Sequence, residues 1–494
     1  MFDSMQEADV MNTGQAVLPR VIQGGMGIGV SNWRLARAVS MRGQLGVVSG
    51  TCIDSLFVRR LQDGDIGGHL RRAMEHFPLP EVSADALRRY FLPAGERGDA
   101  PYRLISMWKE SMSAARLQLT MLASFVEVYL AKEGHGGVVG LNLLTKVQLP
   151  NLATLYGAML ASVDYVLMGA GIPKEIPGIL DAFARGCAAR LRFDVDGLER
   201  GAVREVELDP AQHFTAGAPP LHRPKFLPIV SSHSLATMLA RKSNGSVEGF
   251  IVEGPTAGGH NAPPRGKTEL NDEGEPIYSD RDEADLGEMR ALGYPFWLAG
   301  GTASPEGLEA ALEAGAAGVQ VGTLFAYSDE SGLEPDIKGK VLDQVRADTI
   351  HVKTDAKASP TGFPFKVVEV PETNSVQMWY EARKRKCDLG YLRTGYQRDD
   401  GRIGYRCPAE PVDEYVAKGG LAEDTIGRKC LCNALFANIG HAQIRDEGVV
   451  ERALLTSGND FTPVARMLRE REHYSADDAL DYLLLGAMVG GAAA

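Results

Sequence analysis

The sequence predicts an α/β fold: a (β/α)8 barrel with a helical insertion and a C-terminal cysteine-containing extension. Three observations predict it. Short apolar runs recur between residues 21 and 321 and alternate with helical stretches. Several of these runs end in glycine or a small polar residue, as barrel strands do where they present a ligand site. The chain has 494 residues, enough for one large barrel with additions.

Taken in order, residues 1–17 read as a loose leader. Val21 to Gln23 is a strand, Gly24 to Gly29 a glycine-rich loop, and Ser31 the N-cap of a helix from Asn32 to about Arg42, which Gly43 ends. Gly46 to Gly50 is the second strand. No acidic residue closes it where a ribose contact would stand, which excludes a Rossmann dinucleotide site. Residues 54–133 read as helical throughout, with Trp108 to Lys132 one long amphipathic segment, and are expected to form an insertion over the top of the barrel.

Alternation then resumes. Val138 to Asn142 is a strand, with a helix near Leu152 to Ser162. Tyr165 to Met168 is a strand opening into Gly169–Gly171, with a helix near Ile179 to Ala184. Residues 188–210 alternate with period two around Asp196-Gly197 and read as a hairpin insertion. Phe226 to Ser231 is a strand and Ser234 to Arg241 a helix. Phe250 to Val252 is a strand leading into Glu253 and the loop Gly254-Pro-Thr-Ala-Gly-Gly-His260, and a polar loop follows to Asp285. Phe296 to Gly301 is a strand with a glycine end, Pro305 to Ala314 a helix, and Gly318 to Thr323 the last strand. Strands centred on Val21, Val47, Val139, Tyr165, Ile229, Phe250, Phe296 and Val319 make eight. The barrel is thus expected over 18–350. Composition changes after Ile350, and the extension covers 351–494, with a helical tail from Asp446 that ends in Gly490-Gly-Ala-Ala-Ala.

Composition narrows function. Apolar residues make up 44% and charged residues 23%, ordinary for a globular protein. A net charge of -12 argues against nucleic acid as a partner. No apolar run is long enough to span a membrane. The acidic start, Met1-Phe-Asp-Ser-Met-Gln-Glu, is not a signal peptide, so the expected location is cytoplasmic. Self-association is left open.

The chemistry gathers at strand ends. Gly258 and Gly259 let a flat ring or a phosphate approach the backbone, and His260 stands at the lip of that site. Gly300-Gly301 and Gly322-Thr323 follow the last two strands, where this fold holds a phosphate with backbone N–H groups. With Gly24, Gly25 and Asn142 added, the pattern is that of a flat phosphorylated cofactor laid across the barrel mouth.

These motifs, Val21-Ile-Gln-Gly-Gly-Met26, Gly140-Leu-Asn142, Ala257-Gly-Gly-His260, Ala299-Gly-Gly301 and Val319-Gln-Val-Gly-Thr323, resemble the nitronate monooxygenase (2-nitropropane dioxygenase) family, in the family's order over roughly residues 17 to 330. That family is related to FMN-dependent enoyl-acyl-carrier-protein reductases. The resemblance implies FMN as cofactor, bound by Gln23, Gly24, Gly25, Met26, Asn142, Glu253, Gly258, Gly259, Gly300, Gly301, Gly322 and Thr323. It implies His260 as the catalytic residue, a general base or an anchor for the substrate. It implies oxidation of an alkyl nitronate with O2 to a carbonyl compound and nitrite. The alternative is NAD(P)H-dependent reduction of an enoyl thioester, on a small-molecule or carrier-bound substrate. A further alternative is a non-catalytic flavin-binding scaffold. Arg265, in the rigid loop after His260, is a candidate for an anionic substrate group, or a solvated loop residue.

Cys387, Cys407, Cys430 and Cys432 crowd into the last quarter, three of them directly after Arg or Lys. Four thiolates are a donor set for zinc or an iron–sulfur cluster, and the alternative is four independent thiols. Cys52 and Cys187 read as core thiols. His135, His222, His233 and His351 read as packing or surface residues; for His233, just after the fifth strand, the alternative is a place facing the mouth. Lys366 reads as a surface lysine.

Overall fold

The computed structural model describes residues 18–214, 217–469 and 471–489. The expected leader and the Gly490–Ala494 tail lie outside the described residues. Eight parallel strands close a barrel: β1 (Val21–Gln23), β2 (Leu45–Ser49), β3 (Val139–Leu144), β4 (Tyr165–Gly169), β5 (Lys225–Val230), β6 (Phe250–Glu253), β7 (Phe296–Ala299) and β8 (Gly318–Val321). Each strand pairs with its neighbours in sequence. β8 returns to β1 in the register Val21 to Val319 and Gln23 to Val321. This is the (β/α)8 barrel that the strand pattern predicts.

The apolar runs carry no alternation because both faces are buried. One face fills the barrel: Ile22, Val47, Leu167, Leu227, Ile251 and Trp297 form a closed cluster, all fully buried. Trp297 closes its lower end, with its indole N–H on the carbonyl of Pro19 at 2.7 Å. The other face (Val21, Val48, Val166, Phe226, Phe250, Phe296) packs under the ring of helices. The core thus fixes the strand ends at the mouth.

The region between β2 and β3 departs from expectation. It holds helices Ile53–Gln62, His69–Met74, Pro80–Tyr90 and Ala114–Lys132, and residues 91–113 are not helical. The last helix starts six residues later than the amphipathic pattern suggests, because the Ser113 side chain accepts the N–H of Arg116 and caps it there. That helix packs against Trp33–Met41 and Asn151–Leu160. It therefore belongs to the helical ring around the barrel rather than to a cover over the mouth, in keeping with its mostly buried surface.

Between β4 and β5, Ala189–Phe193 and Arg204–Leu208 pair antiparallel outside the barrel. Val195–Asp196 instead joins the strand Thr394–Gln397, which pairs with Ile403–Arg406. The extension is tied to the barrel at other points too. Asp54 is buried and accepts hydrogen bonds from Arg116 (2.6 Å), Thr120 (3.0 Å), Trp108 (3.2 Å) and the hydroxyl of Tyr391. The Arg116 guanidinium and these donors hold its carboxyl below the usual range against the burial that opposes them. The helix Ala476–Val489 packs on Trp33–Met41 and Pro305–Glu313. The tail is not helical from Asp446, as its pattern suggests. Residues 449–461 are not helical, of which 455–458 and 460 line the cavity over the barrel mouth, and helix follows at Thr462–Met467.

Candidate active site

The glycine loop after β1 is held by side chains behind it. Gln23 is fully buried. It donates to the carbonyl of Gly24 (2.6 Å) and to Ser31 (2.8 Å), and it accepts the N–H of Val47 (3.0 Å). With both ends of its amide spent, Gln23 shapes the loop and does not line the cavity, contrary to its expected place in the cofactor set. Ser31 is likewise not the helix cap. Its hydroxyl bonds the Gly24 carbonyl and the Met26 N–H, both at 2.9 Å, while Asn32 caps the helix by accepting from Arg34 and Leu35. A β-carbon on Gly25 would sit 2.1 Å from Cβ of Asn142, so glycine here is a packing requirement.

Gly24, Gly25, Met26, Asn142, Glu253, Gly258, Gly259, His260, Gly300, Gly301, Gly322 and Thr323 all line one cavity over the mouth. Its volume is about 1570 Å³, counting the part open to solvent. Gly300 (φ 95°) and Gly301 (φ 69°) turn the chain sharply after β7. Gly322 leads β8 into a short helix, Thr323–Ala326. That places backbone N–H groups and a hydroxyl at the site where this fold takes a phosphate.

The extension completes the site, which nothing in the sequence announced. Leu455, Thr456, Ser457, Gly458 and Asp460 line the same cavity. Thr456 Oγ1 accepts the N–H of Gly259, and the Gly458 N–H donates to Thr323 Oγ1, both at 2.9 Å. Tyr327 and Ser457 share a hydrogen bond of 2.8 Å. Residues 455–458 thus form a strap bonded to both glycine-bearing ends. Gln320, also lining the cavity, keeps a buried amide oxygen with no partner among the described residues. A shallow glycine floor, an unmet acceptor beside Gly24 and donors gathered after β7 and β8 fit a flat ring carrying a phosphate tail. FMN has that shape.

His260 is enclosed where this cavity meets a second one lined by Ile229, Leu235, Arg265, Tyr278 and Phe363; Glu253 also borders both. Its Nε2 lies 2.7 Å from Ser359 Oγ, which in turn bonds Thr361 (2.8 Å). Its ring meets Phe365 edge-on at 4.8 Å. Burial pushes the imidazole down to about 4 and the Glu253 carboxyl up to about 8, so both are neutral at pH 7. Lys366 is not at the surface. It is buried, donates to Thr354 at 2.6 Å, and burial lowers it to about 8. Its backbone N–H holds the Gly259 carbonyl (2.9 Å), so it supports the histidine loop from behind.

His233 opens a helix and lines neither cavity. Cys187 is exposed, not a core thiol, whereas Cys52 is buried. Cys387, Cys407, Cys430 and Cys432, spread over 46 residues of sequence, line one small cavity. As they stand, no three His, Cys, Asp or Glu side chains among the described residues are placed to hold a single metal ion. No described helix is long and apolar enough to cross a membrane.

Comparison with known proteins bears out the resemblance read from the motifs. Residues 212–381, which include β5 to β8 and His260, match the family model described as nitronate monooxygenase. No curated protein matches the chain. Among solved structures, the chain is similar to FabK from Thermotoga maritima at 18% identity, with 96% of this chain and 94% of that one covered and a TM-score of 0.45. It is similar to nitroalkane oxidase from Streptomyces ansochromogenes at 16% identity, covering 96% and 97%, with a TM-score of 0.43. It is also similar to the enoyl reductase domain of MlnA from Bacillus amyloliquefaciens at 11% identity, covering 95% and 94%, with a TM-score of 0.45.

Proposed function

We propose that this chain is an FMN-dependent oxidoreductase that oxidises an alkyl nitronate with O2 to a carbonyl compound and nitrite. The observation that carries this reading is a neutral, enclosed His260 at the junction of the two cavities. FMN, bound over the glycine floor, supplies the redox chemistry. The protein's part is to place the substrate against it and keep water out. An imidazole whose pKa is pushed down to about 4 is a weak base. It suits a substrate that arrives already as an anion and asks only for a hydrogen bond. Ser359 makes that donor available: when its hydroxyl donates to Nε2, the proton of the neutral ring sits on Nδ1. Arg265, exposed on the rim of the second cavity, offers a cation to an anionic substrate.

A second observation favours the other reading. Glu253, protonated at neutral pH beside the same cavity, suits donation of a proton to the α-carbon of an enoyl thioester after hydride reaches the β-carbon. NAD(P)H would be the reductant.

An anaerobic visible spectrum separates the two. Bleaching of the flavin bands by an alkyl nitronate and not by NADPH supports nitronate oxidation; bleaching by NADPH alone overturns it in favour of the reductase. His260→Ala should lower kcat/KM on the accepted substrate by about 10²–10³. Unchanged turnover in that variant would remove His260 from the reaction.

A further inference from the structure

The most unusual chemistry left over is the four-cysteine cavity. Cys387, Cys407, Cys430 and Cys432 come from three separate segments of the extension and converge on one pocket, walled otherwise mainly by Pro360, Leu389, Leu392, Ala409 and Leu431. All four are free thiols. A core built from plain hydrophobes has no reason to gather four sulfurs around one void, so the question is what the void takes.

We propose that these four cysteines ligate an iron–sulfur cluster. Three features carry this. First, spacing disfavours a lone ion. Zinc would need four sulfurs about 2.3 Å from one point, hence about 3.8 Å apart, and among the described residues no three His, Cys, Asp or Glu side chains are placed to hold a single metal ion. A cluster takes its thiolates on its outer corners and accepts a wider set around a filled volume.

Second, N–H groups point at the sulfurs. Asn433 Nδ2 donates to Cys430 Sγ at 3.5 Å. The backbone N–H groups of Leu392 and Tyr391 lie beside Cys432, and that of Ala409 beside Cys407. Hydrogen bonds to sulfur are how a protein stabilises and tunes a thiolate-bound cluster.

Third, charge is arranged for an anionic guest. Arg393 lines the pocket. The Asp388 carboxylate in the wall is already spent on Arg445 and on Asn433 at 2.8 Å, and the nearby buried Glu410 is paired with Lys418 at 2.8 Å. The pocket is also joined to the candidate active site. Cys430 caps the helix Leu431–Ala437, and Leu435 and Asn438, toward its other end, line the FMN cavity. At 1.5 Å per residue the two cavities sit about 10 Å apart along one rigid element.

The test is elemental and spectroscopic and does not depend on turnover. The full chain is purified anaerobically and assayed for iron, acid-labile sulfide and zinc, then reduced with dithionite for low-temperature electron paramagnetic resonance. The proposal expects iron and sulfide in equal amounts, about two or about four of each per chain, and a rhombic signal on reduction. Cys407→Ser and Cys432→Ser should each lower bound iron more than tenfold, while Cys187→Ser, at the exposed thiol, leaves it unchanged. Because the serine variants are open to misfolding, the decisive arm is the unmodified protein. Stoichiometric zinc without sulfide overturns the cluster. So does a protein that, after anaerobic incubation with ferrous iron and sulfide, holds neither and still titrates all four thiols.

Discussion

Glu253→Gln provides a test that reads the electrostatics of the mouth directly. Glu253 ends β6 and is lifted from 4.5 to about 8 by burial alone, with no cation beside it to offset the cost. The unfolded chain ionises this carboxyl near 4.5 while the folded chain keeps it protonated to about pH 8. Between those values the folded state binds the extra proton, so stability must fall as pH rises. At 1.36 kcal/mol per unit, a shift of about 3.5 units is worth about 5 kcal/mol at most above pH 8. Glutamine is isosteric with the protonated acid and has no proton to lose. The difference in melting temperature, variant minus native, should therefore be near zero at pH 4.5, grow steadily to pH 8 and then level off, reaching about 5 °C. Differential scanning fluorimetry on flavin-free protein across pH 4.5–9 gives this curve, and taking the difference cancels other titrating groups. A flat difference, or one that shrinks with rising pH, would refute a protonated Glu253 and with it the proton-donor reading of the reductase alternative.

Gly25→Ala should weaken FMN binding at least tenfold, measured by flavin fluorescence on dilution, since its new methyl must displace Asn142 from the floor. Thr456→Val removes the acceptor for the Gly259 N–H and should cost about 1–2 kcal/mol, again about tenfold in FMN affinity, with little change in KM. Ser359→Ala frees the imidazole from its tautomer partner and should lower kcat about five- to tenfold while leaving bound FMN unchanged by absorbance. Arg265→Ala should raise KM for a carboxylate-bearing nitronate severalfold at low salt and leave kcat alone, the difference fading as salt screens the charge. Equal KM for charged and neutral substrates in that variant and the native chain would place Arg265 outside recognition.

The barrel was legible because its strands are short apolar runs whose glycines sit where the fold needs them, and His260 was legible because it ends one of those loops. What escaped did so for physical reasons. Gln23 sits inside the first glycine motif, and only its hydrogen bonds show that its amide faces inward, away from the cavity. Ser31 and Asn32 are both good caps, and the choice between them turned on the Gly24 carbonyl, which draws the serine away. The strap at 455–458 is ordinary in composition. Its role comes from bonds to residues 197 and 135 positions earlier, a distance no local pattern encodes. Lys366 looked like a surface lysine because burial of a cation leaves no mark in the sequence.

The strap also sets an order of events. The barrel's eight strands are all translated by residue 321, yet the segment that ties Gly259 to Thr323 comes more than a hundred residues later. A growing chain therefore has the floor of its flavin cavity long before it has the clasp. Tight flavin uptake becomes the last step of assembly, and a yellow protein is one whose distant C-terminal segment has already found the barrel mouth.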